Sequence, residues 1–200
     1  MNADQVRLFI AIELPAEVRR ALAALQERLS RLDGRRVVRW TAPDSIHLTL
    51  KFIGETGSEQ VKAISAALDS ACTAHPPFNL SIQGMGGFPN TRQPRIVWAG
   101  LTGDVNTLAA LRDTVEVHVA PLGFPTEGRP FSPHLTIGRI KDAPTTHIKA
   151  FGALLSEEEV GNLSQWRVES VALMNSDLRP SGAVYTRLAE TRLKAVSDRR

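Results

Sequence analysis

The chain has 200 residues, 42% hydrophobic and 22% charged, with a formal net charge of +3 and a sequence pI near 9.4. That composition is ordinary for a soluble globular protein, and the length suffices for one large domain or two small lobes around a real core. It excludes a membrane span, which needs roughly 18 apolar residues in a row, and the opening "MNADQVRLFIAIELP" has no basic start followed by a long apolar stretch, so no secretory signal is expected.

"VRLFIAIEL" (6–14) is rich in β-formers and predicts a strand buried on both faces. Pro15 suits the first turn of a helix, and Val18, Leu22, Leu25 and Leu29 recur at helical spacing until Asp33–Gly34 ends it. Arg28, Arg31, Arg35, Arg36 and Arg39 crowd the stretch before Trp40. Solvated surface explains most of them, and a polyanionic partner is compatible with them. A short strand over 37–40, a turn at "APDS" and a strand over 46–52 follow, broken by Gly54 and Gly57. "EQVKAISAALDSACTA" (59–74) predicts a second amphipathic helix, stopped by "HPP". It carries the lone cysteine, Cys72, which reads as a small core residue. A single cysteine forms no internal disulfide and fits a reducing, cytoplasmic setting.

"FNLSIQGMGGF" (78–88) predicts a strand with a glycine-rich bend, and "PRIVWAGL" (94–101) its partner. The glycine cluster reads as a bulge, since no GxGxxG or GxxxxGK[ST] pattern follows any strand. Asp104 is a candidate N-cap for a helix over 105–119. The Pro- and Gly-rich loop "PLGFPTEGRPFSP" (121–133) leads into a strand over 134–140 and a helix near 145–155. Two strands remain, "WRVESVALMNS" (166–176) and "AVYTRLAETRL" (183–193), and the tail "AVSDRR" is expected to fray.

One pattern stands out. "IHLTLKFIGE" (46–55) and "PHLTIGRIKD" (133–142) place His, Leu and Thr in the same frame. In a strand, His47 and Thr49 share one face while Leu48 and Leu50 take the other, and His134 and Thr136 repeat this against Leu135 and Ile137. Packing alone gives no reason for the polar pair to recur. Two such segments suggest duplicated lobes facing across a groove. Zinc would want a third protein ligand, and no CxxC or HExxH pattern supplies one; His75, His118 and His147 read as ordinary surface residues. Two facing imidazoles are suited to proton transfer, one neutral and one charged near neutral pH. Threonine hydroxyls beside them can donate to the non-bridging oxygens of a phosphodiester. The pattern points to metal-free chemistry at phosphorus, with a strained cyclic ester as a fitting substrate.

The paired His-x-Thr-x motifs resemble the signature of the two-histidine phosphoesterase superfamily. Within it the chain is similar to the bacterial and archaeal RNA 2′,3′-cyclic phosphodiesterases, historically called 2′-5′ RNA ligases. The similarity runs through "RLFIAIELP", "IHLTLKFIGE", "FPNTRQPRIVWAGL", "FSPHLTIGRI" and "LMNSDLRPSGAVYTRL". The resemblance implies an α+β fold, residues 1–200 forming a single bilobal domain. Its two lobes would be related by a pseudo-two-fold axis, each with an antiparallel sheet lining a central cleft and helices on the outer side. It also implies a cofactor-free, cytoplasmic, monomeric enzyme that opens an RNA 2′,3′-cyclic phosphate end to a 2′-phosphate, transfer RNA fragments being one candidate substrate. His47 would then donate a proton to the leaving 3′ oxygen and His134 accept one from water, while Thr49 and Thr136 hold the phosphate. The residues alone do not divide acid from base, because the repeat is nearly symmetric.

Further residues are candidates for the substrate. Arg139 matches an arginine at that place in bacterial relatives; strict alternation turns it away from His134, and a bulge at Gly138 would bring it round. Phe9 and Phe131 are candidates to stack on a base, with core packing the competing reading for Phe9. Phe52 is expected in the core. Arg92 and Arg95 flank a loop suited to tracking an RNA backbone. Other readings use the same residues: reverse ligation through a 2′-5′ linkage, hydrolysis of small cyclic nucleotides or ADP-ribose cyclic phosphate, or a non-catalytic RNA-binding module.

Overall fold

A computed structural model describes residues 5–180 and 182–194, so the expected fraying of the tail "AVSDRR" lies outside the described residues. In chain order the elements are β1 (Gln5–Glu13), α1 (Ala16–Leu32), β2 (Val38–Trp40), β3 (His47–Gly57), α2 (Gln60–Cys72), β4 (Phe78–Phe88) and β5 (Ile96–Gly103). Then come α3 (Val105–Val119), β6 (His134–Ile140), α4 (Thr145–Glu157), β7 (Ser164–Val168), β8 (Ser170–Arg179) and β9 (Gly182–Arg192). They form two antiparallel sheets, a four-stranded one ordered β3-β1-β8-β9 and a five-stranded one ordered β2-β6-β5-β4-β7.

The duplication is visible in that order. The runs β1-α1-β3-α2-β4 and β5-α3-β6-α4-β8 correspond, and each gives its last strand to the other sheet: β4 beside β5, β8 beside β1. The helices cross over as well. α1 lies against the five-stranded sheet and α3 against β3 of the four-stranded one, while α2 packs on β8 and β9 and α4 on β4. This is the two-lobed, pseudo-symmetric α+β architecture that the resemblance implies.

Alternation builds the core between sheets and helices. Leu8, Ile10 and Ile12 of β1, Leu22 and Leu29 of α1, Leu48 of β3, and Leu135 and Ile137 of β6 are almost fully buried in one apolar cluster. At roughly 1.5–3 kcal/mol for each large aliphatic side chain buried, this face fixes the strand register. The opposite face of β1 carries a smaller apolar set, Phe9 and Ala11 with Ala172, Met174 and the half-buried Tyr185. The first strand is therefore buried on both faces, as its composition predicts. Cys72 is sealed in the core, where burial and then the nearby Asp69 carboxylate push its thiol up to about 12. It stays a thiol.

Four expectations need correction, the first being the break at Gly54, which β3 runs through as far as Gly57. "WRVESVALMNS" is not one strand but two: Glu169 separates β7, in the five-stranded sheet, from β8, in the other. β-formers flank the break and no Gly or Pro marks it. Asp104 sits at the start of α3 yet caps no helix N–H; its Oδ2 accepts the backbone N–H of Asn79 at 2.8 Å instead, tying α3 to β4. Phe52, expected in the core, is 73% exposed. The glycine cluster "GMGGF" does hold a register shift, and Gly86 lies under the indole of Trp98, where a Cβ would stand 2.4 Å from Cζ2.

Candidate active site

β3 begins at the first histidine and β6 at the second. These strands belong to different sheets, yet they run close enough to bring their Cα atoms within 8 Å across the seam. An open cleft of about 1040 Å³ lies along it. Thr49, Phe52 and Ile53 wall it from the four-stranded sheet; His134, Thr136 and Arg139 wall it from the other. The loop 123–132 closes one side, with Phe124 and Phe131 facing in. His47 stands just beyond this wall, two residues before Thr49 and half-buried.

The two imidazoles are held alike. His47 Nδ1 is 3.0 Å from the Ser45 carbonyl and His134 Nδ1 is 2.8 Å from the Ser132 carbonyl. A carbonyl oxygen only accepts, so Nδ1 must carry the proton and donate in both cases. The neutral ring then keeps its lone pair on Nε2, the nitrogen left for chemistry. Each ring also rests on aromatics. Phe9 stacks on His47 with centroids 4.6 Å apart and Tyr185 meets it edge-on at 5.0 Å, while Phe88 meets His134 edge-on at 4.9 Å. Burial lowers the His47 pKa from its ordinary value of 6.5, outweighing the hydrogen bond to Ser45, which acts to raise it. Unliganded His47 therefore favours the neutral form.

A bulge in each motif decides what else faces the cleft. On β3, Thr49 pairs with Ala11 and Lys51 with Ile10, so Leu50 is the extra residue. On β6, Thr136 pairs with Trp98 and Gly138 with Val97, so Ile137 is the extra residue. After a bulge the alternation changes phase. Lys51 turns inward and Phe52 joins His47 and Thr49; Gly138 turns inward and Arg139 joins His134 and Thr136. Phe52 and Arg139 thus occupy corresponding places, each five positions after its histidine. Gly138 suits the inward turn because a Cβ there would sit 2.6 Å from Val38 Cγ1.

Helices secure both bulges from below. Gln26 of α1, buried, donates Nε2 to the Ile137 carbonyl at 2.8 Å and to the Thr41 carbonyl at 2.7 Å. Beneath β3, Lys51 Nζ donates to Glu116 Oε2 and to the Pro125 carbonyl, both at 2.6 Å. Arg112 Nη2 reaches Glu116 Oε1 at 2.9 Å, and its guanidinium lies 5.5 Å from the centroid of Phe131. Glu116 also accepts the Glu127 N–H at 3.3 Å. This buried trio joins β3 and α3 to the loop that walls the cleft.

The structure brings Thr49, His134, Thr136, Arg139 and Phe131 to one cleft, with His47 just beyond its wall on the strand face it shares with Thr49. Phe9 is not available to a base: it lies on the cleft side of β1 but is only 3% exposed, roofed by His47, Phe52 and Tyr185. Its place is structural, behind the first imidazole. Arg92 and Arg95 are exposed in the β4–β5 connection, outside the cleft wall. His75 and His118 bond to Thr114 of α3, and His147 to Arg35, all outside that wall. Sequence reasoning missed Phe52 and Tyr185. It also missed that both motifs begin Ser-x-His, the serine carbonyl being the group that fixes each ring; that repeat was legible in the text. Among the described residues, no group of three or more His, Cys, Asp or Glu side chains is placed to hold a metal ion, and no helix is long and apolar enough to cross a membrane.

Comparison with known proteins agrees with this fold. The profile of the family described as LigT like Phosphoesterase matches residues 12–98 and 102–185, with one His-x-Thr-x motif in each stretch. The chain is 33% identical over 189 residues to the RNA 2′,3′-cyclic phosphodiesterase of Methanothermobacter thermautotrophicus, covering 94% of this chain and 100% of that one. With the RNA 2′,3′-cyclic phosphodiesterase of Thermus thermophilus it shares 34% identity over 200 residues, covering 97% and 93% respectively. Among solved structures, TT0787 of Thermus thermophilus matches with a TM-score of 0.78 at 30% identity, covering 96% of this chain and 100% of that one. E. coli LigT complexed with 3′-AMP matches with a TM-score of 0.76 at 27% identity and the same coverage.

Proposed function

The chain belongs to the LigT-like phosphoesterase family, and from that premise we propose that it hydrolyses RNA 2′,3′-cyclic phosphate ends to 2′-phosphates by metal-independent acid–base catalysis. One observation carries the mechanism: two histidines tied identically through Nδ1, each with a threonine on the same strand face, at the seam of two sheets. The names of the curated relatives supply the substrate class, and the E. coli chain complexed with 3′-AMP supports a cleft that takes a phosphorylated nucleoside.

Water attacks phosphorus while His134 Nε2 takes its proton, the bond from phosphorus to the 3′ oxygen breaks, and His47 Nε2–H protonates the departing oxygen. A 2′-phosphate and a 3′-hydroxyl result. The Thr49 and Thr136 hydroxyls donate to the non-bridging oxygens as charge builds on them. Arg139 adds the positive charge of a planar guanidinium fork, which matches phosphate oxygens. His47 needs help to be the acid, since burial favours its neutral form. The substrate's own anionic phosphate provides it, because a nearby negative charge stabilises imidazolium.

Phe52 takes the stacking role first assigned to Phe9. It is the exposed aromatic ring on the histidine face of β3, and Phe131 stands in the loop across the cleft. Stacking tolerates any base, which suits an enzyme that acts on RNA ends. Ligation through a 2′-5′ bond is the same step with an RNA 5′-hydroxyl attacking in place of water. Product analysis on an RNA with a 2′,3′-cyclic end tests the proposal: a 2′-phosphate is expected, and a 3′-phosphate would refute the assigned leaving group.

A further inference from the structure

Two arginines stand side by side where packing gives no reason for them. Arg39 of β2 pairs directly with Arg139 of β6, which sets their side chains on one face with Cα atoms roughly 4.5–5.5 Å apart. Like charges placed directly opposite in a sheet are destabilising. Among the described residues neither arginine has a carboxylate in ion-pair range, and both are exposed. Their neighbours explain nothing, since Val38 and Trp40 turn to the other face, toward Gly138 and Phe151. Arg139 walls the cleft, and β2 is the outer edge of its sheet. Positive charge therefore runs from the cleft to an open edge.

A 2′,3′-cyclic phosphate uses both ribose oxygens of one nucleotide, so it can only close the 3′ end of an RNA. The rest of the strand must depart from that nucleotide's 5′ oxygen. We propose that Arg39 is the first subsite for this departing strand. Its guanidinium takes the phosphate on the 5′ side of the terminal nucleotide, and the RNA leaves over the β2 edge, not along the loop that holds Arg92 and Arg95. A planar fork of donors matches a phosphate and reads no sequence. The inference rests on the reading of the cleft given above and adds the path of the substrate's body.

The test compares two substrates, a nucleoside 2′,3′-cyclic monophosphate, which has no 5′ phosphate, and a short RNA ending in a 2′,3′-cyclic phosphate. Four proteins are assayed: wild type, Arg39→Glu, the Arg92→Glu/Arg95→Glu double variant, and Arg31→Glu as a charge-matched control on α1. Arg39→Glu should lower the oligonucleotide-to-mononucleotide ratio of kcat/KM by about tenfold, and the other variants should leave it within about twofold. Fluorescence anisotropy on the 2′-phosphate-ended RNA supplies a readout independent of turnover. There Arg39→Ala should flatten the slope of log Kd against log salt by about 0.7, one phosphate contact on a single strand. An unchanged ratio and slope in the Arg39 variants would overturn the proposal, as would a loss confined to the Arg92/Arg95 variant. If wild type turns over neither substrate, the reading of the cleft fails, and the anisotropy still decides on Arg39.

Discussion

A histidine whose Nδ1 is committed to a carbonyl has one nitrogen left, and both motif histidines are in that position. Each ring can serve as acid or base through Nε2 alone, so removing either should leave the other without its counterpart. His47→Ala and His134→Ala are each expected to lower kcat by about 10²–10⁴ with the thermal midpoint held, as read by steady-state kinetics and melting. Burial sharpens the expectation for His47. As the acid it must be protonated, and its pKa in the free protein lies below 6.5. The fall of kcat/KM as pH rises through that lowered value should therefore begin earlier than for an ordinary histidine. Bound phosphate raises the pKa, so the fall of kcat should come at higher pH. Alkaline limbs that coincide in the two profiles would contradict the assignment of His47 as acid. Thr136→Ala should cost about 10²–10³ in kcat, as expected for one donor to a developing oxyanion.

At the scale of elements, the two bulges decide which residues join the histidine face, and polar side chains under each bulge keep it in place. Glu116→Gln would leave Lys51 a buried cation without its carboxylate and Arg112 with only the exposed Asp113. That change is expected to cost about 3–5 kcal/mol in chemical denaturation and to raise hydrogen exchange in the loop over 123–132. Gln26→Leu deprives the Ile137 and Thr41 carbonyls of a donor. A cost of about 1–3 kcal/mol is expected, with KM rising more than kcat falls if the bulge chiefly sets Arg139. These elements also show where sequence reading stops. His47, Thr49, His134 and Thr136 were legible because two-residue alternation holds up to the bulge. Arg139 was singled out by its match to an arginine of bacterial relatives, against strict alternation, and Gly138 allows the break that turns it to the histidine face. Phe52 was not, because nothing in "LKF" announces that Lys51 goes inward and Phe52 outward; the partner of Lys51 is Glu116, on a helix far along the chain. The split at Glu169 was equally silent, since a strand that ends and restarts in another sheet keeps its β-forming composition throughout.

Across the whole molecule, duplication places two half-sites on one seam. Each repeat lends its last strand to the other sheet, so neither lobe is complete by itself. The approach of β3 to β6 across the seam, and not any single motif, makes the cleft. The proposed mechanism draws only on groups from these two strands and their supporting loop. Turnover should accordingly persist in excess EDTA; activity lost to the chelator and restored by zinc would overturn the metal-independent step. The alternative of a binding module makes the opposite forecast for the histidine variants, namely RNA affinity retained with no turnover in any form. The measurement that tests the account most directly is single-turnover conversion of a 5′-labelled RNA ending in a 2′,3′-cyclic phosphate by wild type, His47→Ala and His134→Ala, with the product end identified. The account predicts a 2′-phosphate from wild type and no product from either variant on the wild-type timescale; a 3′-phosphate product, or wild-type turnover after loss of either imidazole, would contradict it.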